Sequence, residues 1–202
     1  MGDYLTQFAN PKATMQDRKE KGHGILSNMK ALLDDIPLGS KRFEIGLTLR
    51  DSWFINGTLY NSEVWCSYSK NDLKLLEVLD RKIIRLILNS HSKSPSEILY
   101  LETACLPLKD VITVRRMLYL HTILERQDNE IIKKVYMAQK KQPCPGDWVK
   151  LIEADKRDLD ITLEDSEIAL MSSEDFTNLV KAKVRQNSFH ELRQVQKEHD
   201  KV

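Results

Sequence analysis

The sequence predicts a mainly α protein, a helical bundle followed by a C-terminal helical appendage. Three observations carry that prediction. Seven glycines and six prolines in 202 residues are too few for a turn-rich β architecture. Capping residues stand ahead of most of the apolar stretches. The segments 70–89 and 107–125 read as helices, one apolar apart from a single polar stripe, the other apolar nearly all round.

The elements follow in order. Only residues 1–12 look capable of strand, and they would be half of a short N-terminal β-hairpin. Helices are expected over roughly 15–35 and 41–61, separated by Pro37-Leu38-Gly39. Asn56-Gly57-Thr58 fits a glycosylation sequon, but it reads as a helix position where Gly57 allows close packing or a kink. Ser69 with Asp72 starts the helix of 70–89, whose stripe of Lys74, Glu77, Arg81 and Arg85 shares one face. Ser94-Pro95-Ser96-Glu97 has the form of a capping box opening a short helix at Ile98. Helix 107–125 carries Val111, Ile112, Val114, Met117, Leu118, Leu120, Ile123 and Leu124, so it belongs at the centre of the bundle. Asp128 is expected to start a helix over 129–141, and Gln142-Pro143-Cys144-Pro145-Gly146 is the clearest linker. Asp147 caps a helix opening at Trp148, and Ser172 or Ser173, with Glu174 and Asp175, opens a last helix reaching about His199. The predicted organisation is a hairpin remnant at 1–14, a bundle at 15–142, a linker at 143–146 and an acidic appendage at 147–202.

Apolar residues at 41% and charged residues at 30% describe a soluble globular protein. No apolar run approaches the roughly 20 residues that span a bilayer, and the polar N-terminus is no signal peptide. A cytoplasmic or nuclear protein without a membrane partner is expected. Cys66, Cys105 and Cys144 are odd in number and widely spaced, so they suggest neither a disulfide framework nor a zinc pair. The five histidines share no ligand spacing, and no glycine-rich phosphate loop occurs. No metal or cofactor is expected; His121 reads as a core histidine and the cysteines as inert.

The net charge of +1 hides an asymmetry. Residues 63–142 carry fourteen Lys/Arg against ten Asp/Glu, whereas 143–202 carry nine against thirteen. Within 147–175 the balance is three basic to ten acidic. A phosphate-binding surface is locally positive, so any nucleic-acid contact is expected before residue 142. The acidic segment is expected to oppose such binding, docking on the basic middle through Trp148, Leu151, Ile152 and Leu159.

A family resemblance runs through the same residues. Leu49-Arg50-Asp51-Ser52-Trp53-Phe54 through Trp65 is followed by a capped helix of Leu-Glu-x-x-Asp-Arg type at 76–81. Then come Leu99-Tyr100-Leu101-Glu102 with Pro107-Leu108, and the double-arginine helix Val114-Arg115-Arg116-Met117. In this order and spacing they resemble the thumb, the segment just past the polymerase core, of non-LTR (LINE-type) retrotransposon reverse transcriptases. Met1-Gly2-Asp3 looks like the tail of the family's palm hairpin, and the match runs to about residue 148. The resemblance implies a thumb-like bundle that grips RNA or an RNA–DNA template-primer, in a fragment lacking the catalytic piece.

The chemistry in the chain agrees with that absence. Nucleotidyl transfer needs two metal ions held by carboxylates. The only adjacent aspartates, Asp34-Asp35, end a helix before Pro37 without the family's flanking residues. No enzyme activity is expected. The nucleic-acid candidates are basic helix positions that could follow a phosphate backbone: Lys74, Arg81, Lys82 and Arg85, with Arg115 and Arg116. The last two point about 100° apart, so at most one faces a groove while the other pairs with a carboxylate such as Asp110 or Glu102. Trp53, Trp65 and Trp148 read as core anchors. The rival function is a helical protein-interaction module docking a partner through the acidic 147–175 segment.

Overall fold

The computed structural model describes residues 11–66 and 70–199. Among them the chain is mainly helical, with no strand. Residues 1–10 of the predicted hairpin remnant, and Ser69, lie outside the described residues; residues 11–14 open the first helix. No described helix is long and apolar enough to cross a membrane.

The described residues divide into two compact units: residues 11–60, 70–108 and 192–199 in unit 1, and 61–66 with 109–191 in unit 2. This division does not coincide with the predicted linker at 143–146. The acidic appendage is not separate from the bundle, because most of it folds with the helices of 109–141 into one unit.

Unit 1 contains α1 (Pro11–Asp34), α2 (Ser40–Leu49), α3 (Asn56–Thr58), α4 (Lys70–Leu88) and α5 (Ser96–Thr103). Met29, Leu33, Phe54, Leu59, Leu76, Leu79, Ile83 and Leu99 are buried in its core. Helix α1 ends where Pro37 forbids continuation. Its last carbonyls are capped by the Arg42 guanidinium, which donates to Leu33 O and, at 3.0 Å, to Ile36 O; a cation at this helix end also complements the helix dipole.

The helix expected over 41–61 is not continuous. After α2 it widens into a π-helical turn, Arg50–Ile55, and ends at Thr58. The i→i+5 spacing of that turn brings Arg50, Phe54 and Ile55 together on the inner side, where all three are buried. It also leaves Trp53 41% exposed, so Trp53 is not the core anchor expected of it. Two glycines permit the close helix crossings. A Cβ on Gly46 would stand 2.7 Å from Ile87, and one on Gly57 would stand 3.1 Å from Ile25; the latter is the close packing read from the sequence.

The capping box expected at Ser94 is not formed. Helix α5 starts at Ser96 with Pro95 at the N-cap and no side-chain cap bond, because Pro95 has the fixed φ suited to a helix entry. The Ser94 carbonyl instead accepts a hydrogen bond from Arg85.

Unit 2 is built from α6 (Leu108–Leu124) beyond its first residue, α7 (Ile131–Lys141), α8 (Trp148–Asp158), α9 (Asp165–Leu170) and α10 (Ser173–His199) as far as residue 191. As expected of a central helix, α6 buries Ile112, Val114, Met117, Leu120, Ile123 and Leu124. His121 is buried as expected, with Nε2 3.0 Å from Met171 O and its ring stacked on Phe176. Trp148 is buried, whereas Trp65 is only half-buried; the Trp148 indole N–H donates to Glu63 O at 2.7 Å, and Tyr119 and Tyr136 meet it edge-on. Such a residue places a large apolar surface inside while satisfying its single donor.

Local signals at the helix starts of unit 2 are mixed. Asp175 N–H donates to Ser172 Oγ at 3.0 Å, which is the predicted start of α10. Helix α7 begins two residues later than expected, with Glu130 at its N-cap, while Asp128 pairs with Lys133. Asp147 stands at the N-cap of α8, but its carboxylate accepts the Cys144 N–H rather than capping the helix. Helix α9 is an element beyond those expected, and its local signal is Glu164 with Glu167, which form a reciprocal capping box.

Candidate nucleic-acid interface

The four cations of α4 owe their orientation to a buried network on the opposite side of that helix. Asp80 is fully buried and receives the Arg50 guanidinium in two parallel bonds, Nε to Oδ1 at 2.7 Å and Nη2 to Oδ2 at 2.8 Å. The Tyr100 hydroxyl donates to the same carboxylate at 3.1 Å, and Arg50 Nη2 also reaches Leu106 O at 3.0 Å. Burial alone would favour a neutral guanidine, but Asp80 outweighs it and raises the Arg50 pKa further. The same burial, with the Asp80 charge, holds the Tyr100 hydroxyl well above the usual tyrosine range. A bidentate pair fixes geometry as well as charge. With Asp80 pinned inward, the rotation of α4 about its axis is set.

The outward side of α4 follows from that rotation. Lys74 and Lys82 are exposed. Arg81 is half-buried, 3.9 Å from Glu77 on the preceding turn. Arg85 is half-buried and spends one nitrogen on Ser94 O at 2.9 Å, holding the loop between α4 and α5. Leu75 and Val78 are exposed on the same helix. They were not singled out from the sequence, though their one-residue offset from the buried Leu76 and Leu79 carries the signal. The surface is a mixed one, cations around two aliphatic side chains, and α4 itself carries no aromatic residue.

The arginines of α6 belong to unit 2. Arg116 is 5% exposed, with Nη1 3.0 Å from Asp155. Burial and an in-chain partner remove it from the cations a phosphate can reach. Its carboxylate is Asp155, not Asp110 or Glu102, because α8 folds into the same unit as α6. Arg115 is half-buried; burial lowers its pKa and the Glu63 carboxylate partly restores it.

The other chemistry-bearing residues are dispersed. Asp34 ends α1 and Asp35 follows it, both exposed. Among the described residues no group of three or more His, Cys, Asp or Glu side chains is placed to hold a metal ion. Burial pushes the Cys66 and Cys105 thiols up, away from the reactive thiolate. Comparison with protein-family models, with curated proteins and with solved structures finds no match for this chain.

Proposed function

We propose that the chain is a non-catalytic fragment of a non-LTR retrotransposon reverse transcriptase, whose α4 face grips RNA or an RNA–DNA duplex. One observation carries the reading. Three of the segments that bear the resemblance supply parts of a single buried network: Arg50 from the first, Asp80 from the second, Tyr100 and Leu106 from the third. Residues far apart in sequence that resemble one family in order and spacing thus also cooperate in one scaffold. That scaffold presents Lys74, Arg81, Lys82 and Arg85 on one helix; Arg115, on α6 of the other unit, is a separate candidate.

Binding through so few cations is weak, sequence-tolerant and salt-sensitive, each neutralised phosphate adding roughly 0.7–0.9 to the salt slope. The test is binding of the full chain to a labelled RNA–DNA hybrid across a salt series. Replacing Lys74, Arg81 and Arg85 together by Gln lowers both affinity and salt slope. An unchanged slope, or no binding at low salt, removes the reading. Polymerase activity is not expected; magnesium-dependent primer extension that disappears in Asp34→Asn would overturn the non-catalytic assignment. The rival, a protein-interaction module docking through 147–175, has less support because Asp155 and Asp165 of that segment are engaged inside unit 2.

A further inference from the structure

In unit 1, one side of the π-helical turn and α3 faces solvent. It carries Trp53, 41% exposed, then Asn56, and Tyr60 just past the end of α3, 50% exposed. Phe54, Ile55, Thr58 and Leu59 between them are buried. The exposed positions therefore recur three and four residues apart and share one face. Trp53 and Tyr60 stand roughly 10 Å apart along the helix axis, so each ring offers a surface of its own. Among the described residues neither ring packs against another ring.

Gly57 adds the second observation. It lies on the same side, between the two rings in sequence, and its missing side chain lets α1 come close. A Cβ there would stand 3.5 Å from Lys21 Cε and 3.9 Å from Lys21 Nζ. The Lys21 stem thus lies against the glycine and carries its exposed ammonium into the interval between the rings. Lys21 makes no ion pair among the described residues, and Asp51, the acid of the same turn, is drawn to Arg50 at 3.1 Å.

From this arrangement we propose that the face binds an unpaired stretch of nucleic acid, one base on Trp53, another on Tyr60, and a phosphate between them on Lys21. The order of groups selects that ligand. An unpaired strand alternates flat rings with phosphates, which matches ring, ammonium, ring; bases within a duplex are already stacked on one another. An apolar protein surface laid on the same face would bury the Lys21 charge unpaired, at a high desolvation cost. Stacking on aromatic side chains beside a cation is sequence-tolerant, because every base has a π-face. The inference extends the proposed grip on nucleic acid but rests on residues outside α4, whose cations reach phosphates and which has no ring to offer a base.

The test is fluorescence anisotropy of the full chain with a labelled oligoadenylate of about eight nucleotides, and with an abasic strand of equal length and charge, across a salt series. The oligoadenylate binds more tightly than the abasic strand, which offers phosphates without rings. Trp53→Ala and Tyr60→Ala each weaken the oligoadenylate at least about fivefold, the low end for a stacked base, and leave the abasic strand unchanged. Tyr60→Phe keeps the ring and binds as wild type. Lys21→Gln lowers the salt slope for both strands by roughly 0.7. Replacing Lys74, Arg81 and Arg85 by Gln leaves the preference for oligoadenylate in place, so failure of the α4 reading and failure of this one are told apart. Should Trp53→Ala fail to fold by circular dichroism, Tyr60→Ala against Tyr60→Phe decides. The proposal is overturned if the abasic strand binds as tightly as oligoadenylate, if Tyr60→Ala matches Tyr60→Phe, or if neither strand binds at low salt. Self-association that depends on Trp53, in place of strand binding, would assign the face to a second copy of the chain and equally overturn it.

Discussion

An arginine–aspartate pair with a buried arginine stands in each unit, Arg50–Asp80 and Arg116–Asp155, and the two pairs differ in how completely they are satisfied. In unit 1, Asp80 receives two bonds from Arg50 and a third from Tyr100. In unit 2, Arg116 and Asp155 meet through one contact of 3.0 Å. Arg116 Nε and Asp155 Oδ2 are buried there without a well-aligned hydrogen bond. Both pairs incur a desolvation penalty, which is offset only when the remaining donors and lone pairs are also engaged. The consequence is visible at Asp155. Burial pushes its carboxyl up to about 6; Arg116 draws it down, Asp158 raises it again and the Thr113 hydroxyl lowers it. The same two residue types thus make a rigid clamp in one unit and a proton-sensitive joint in the other.

The largest expected effect tests whether unit 2 needs the segment that carries its half of the pair. Truncation after Gln142 removes Trp148, Val149, Ile152, Leu159, Ile161, Ile168, Phe176, Val180 and Val184, all buried. At about 1.5–3 kcal/mol per large apolar side chain, the loss exceeds the roughly 5–15 kcal/mol that holds a domain together. The truncated chain should lose the helical signal of α6 and α7 and show no cooperative unfolding for that part. A folded, cooperative 1–142 fragment would restore the appendage reading. The acidic segment then acts as structure first: Asp155 pairs with Arg116, and Asp165 with Lys140 at 2.5 Å.

The next prediction concerns the clamp. Asp80→Ala leaves the Arg50 charge buried, with only exposed Asp51 beside it at 3.1 Å. A loss of about 3–5 kcal/mol in urea unfolding is expected. Tyr100→Phe, which deletes one donor from the same carboxylate, should cost about 1 kcal/mol. If Asp80→Ala costs no more than Tyr100→Phe, the clamp is not what distinguishes the units.

Asp155 gives a pH signature. Its folded-state pKa, about 6, lies above the unfolded value of 3.8, so the folded chain holds the extra proton between those values. Its contribution to stability is fully present below pH 3.8 and is lost as pH rises through about 6. Two units correspond to at most about 3 kcal/mol. The readout is the difference between wild type and Asp155→Asn in urea midpoint from pH 4 to pH 7. Wild type should fall relative to the variant across that window, and parallel profiles would mean that Arg116 satisfies Asp155 after all.

The smallest expected effect lies at Gly57. A methyl group there meets Ile25 Cδ1 at 3.1 Å, the mobile end of a flexible side chain. Gly57→Ala should therefore change stability by no more than about 1 kcal/mol, close packing and the higher helix propensity of alanine opposing each other.

Much of the helical architecture was legible because its signals are local. The Pro37 break, the linker after Gln142, the apolar α6 with His121 inside it, and the Ser172 start of α10 rest on residues within a turn of one another, where backbone sterics and capping decide the outcome. Of the candidate interface, helical spacing alone determined which cations share one face of α4. Tertiary structure alone decided which carboxylate each buried arginine meets. Arg50 meets Asp80 and Arg116 meets Asp155 because packed helices bring them together, and no local pattern separates those aspartates from the exposed Asp51 or Asp158. The same holds for the unit boundary: a proline-rich linker marks where the chain turns, whereas buried apolar area decides which helices share a core. It is burial, set by the whole fold, that turned Arg116 from a candidate phosphate ligand into half of an internal pair.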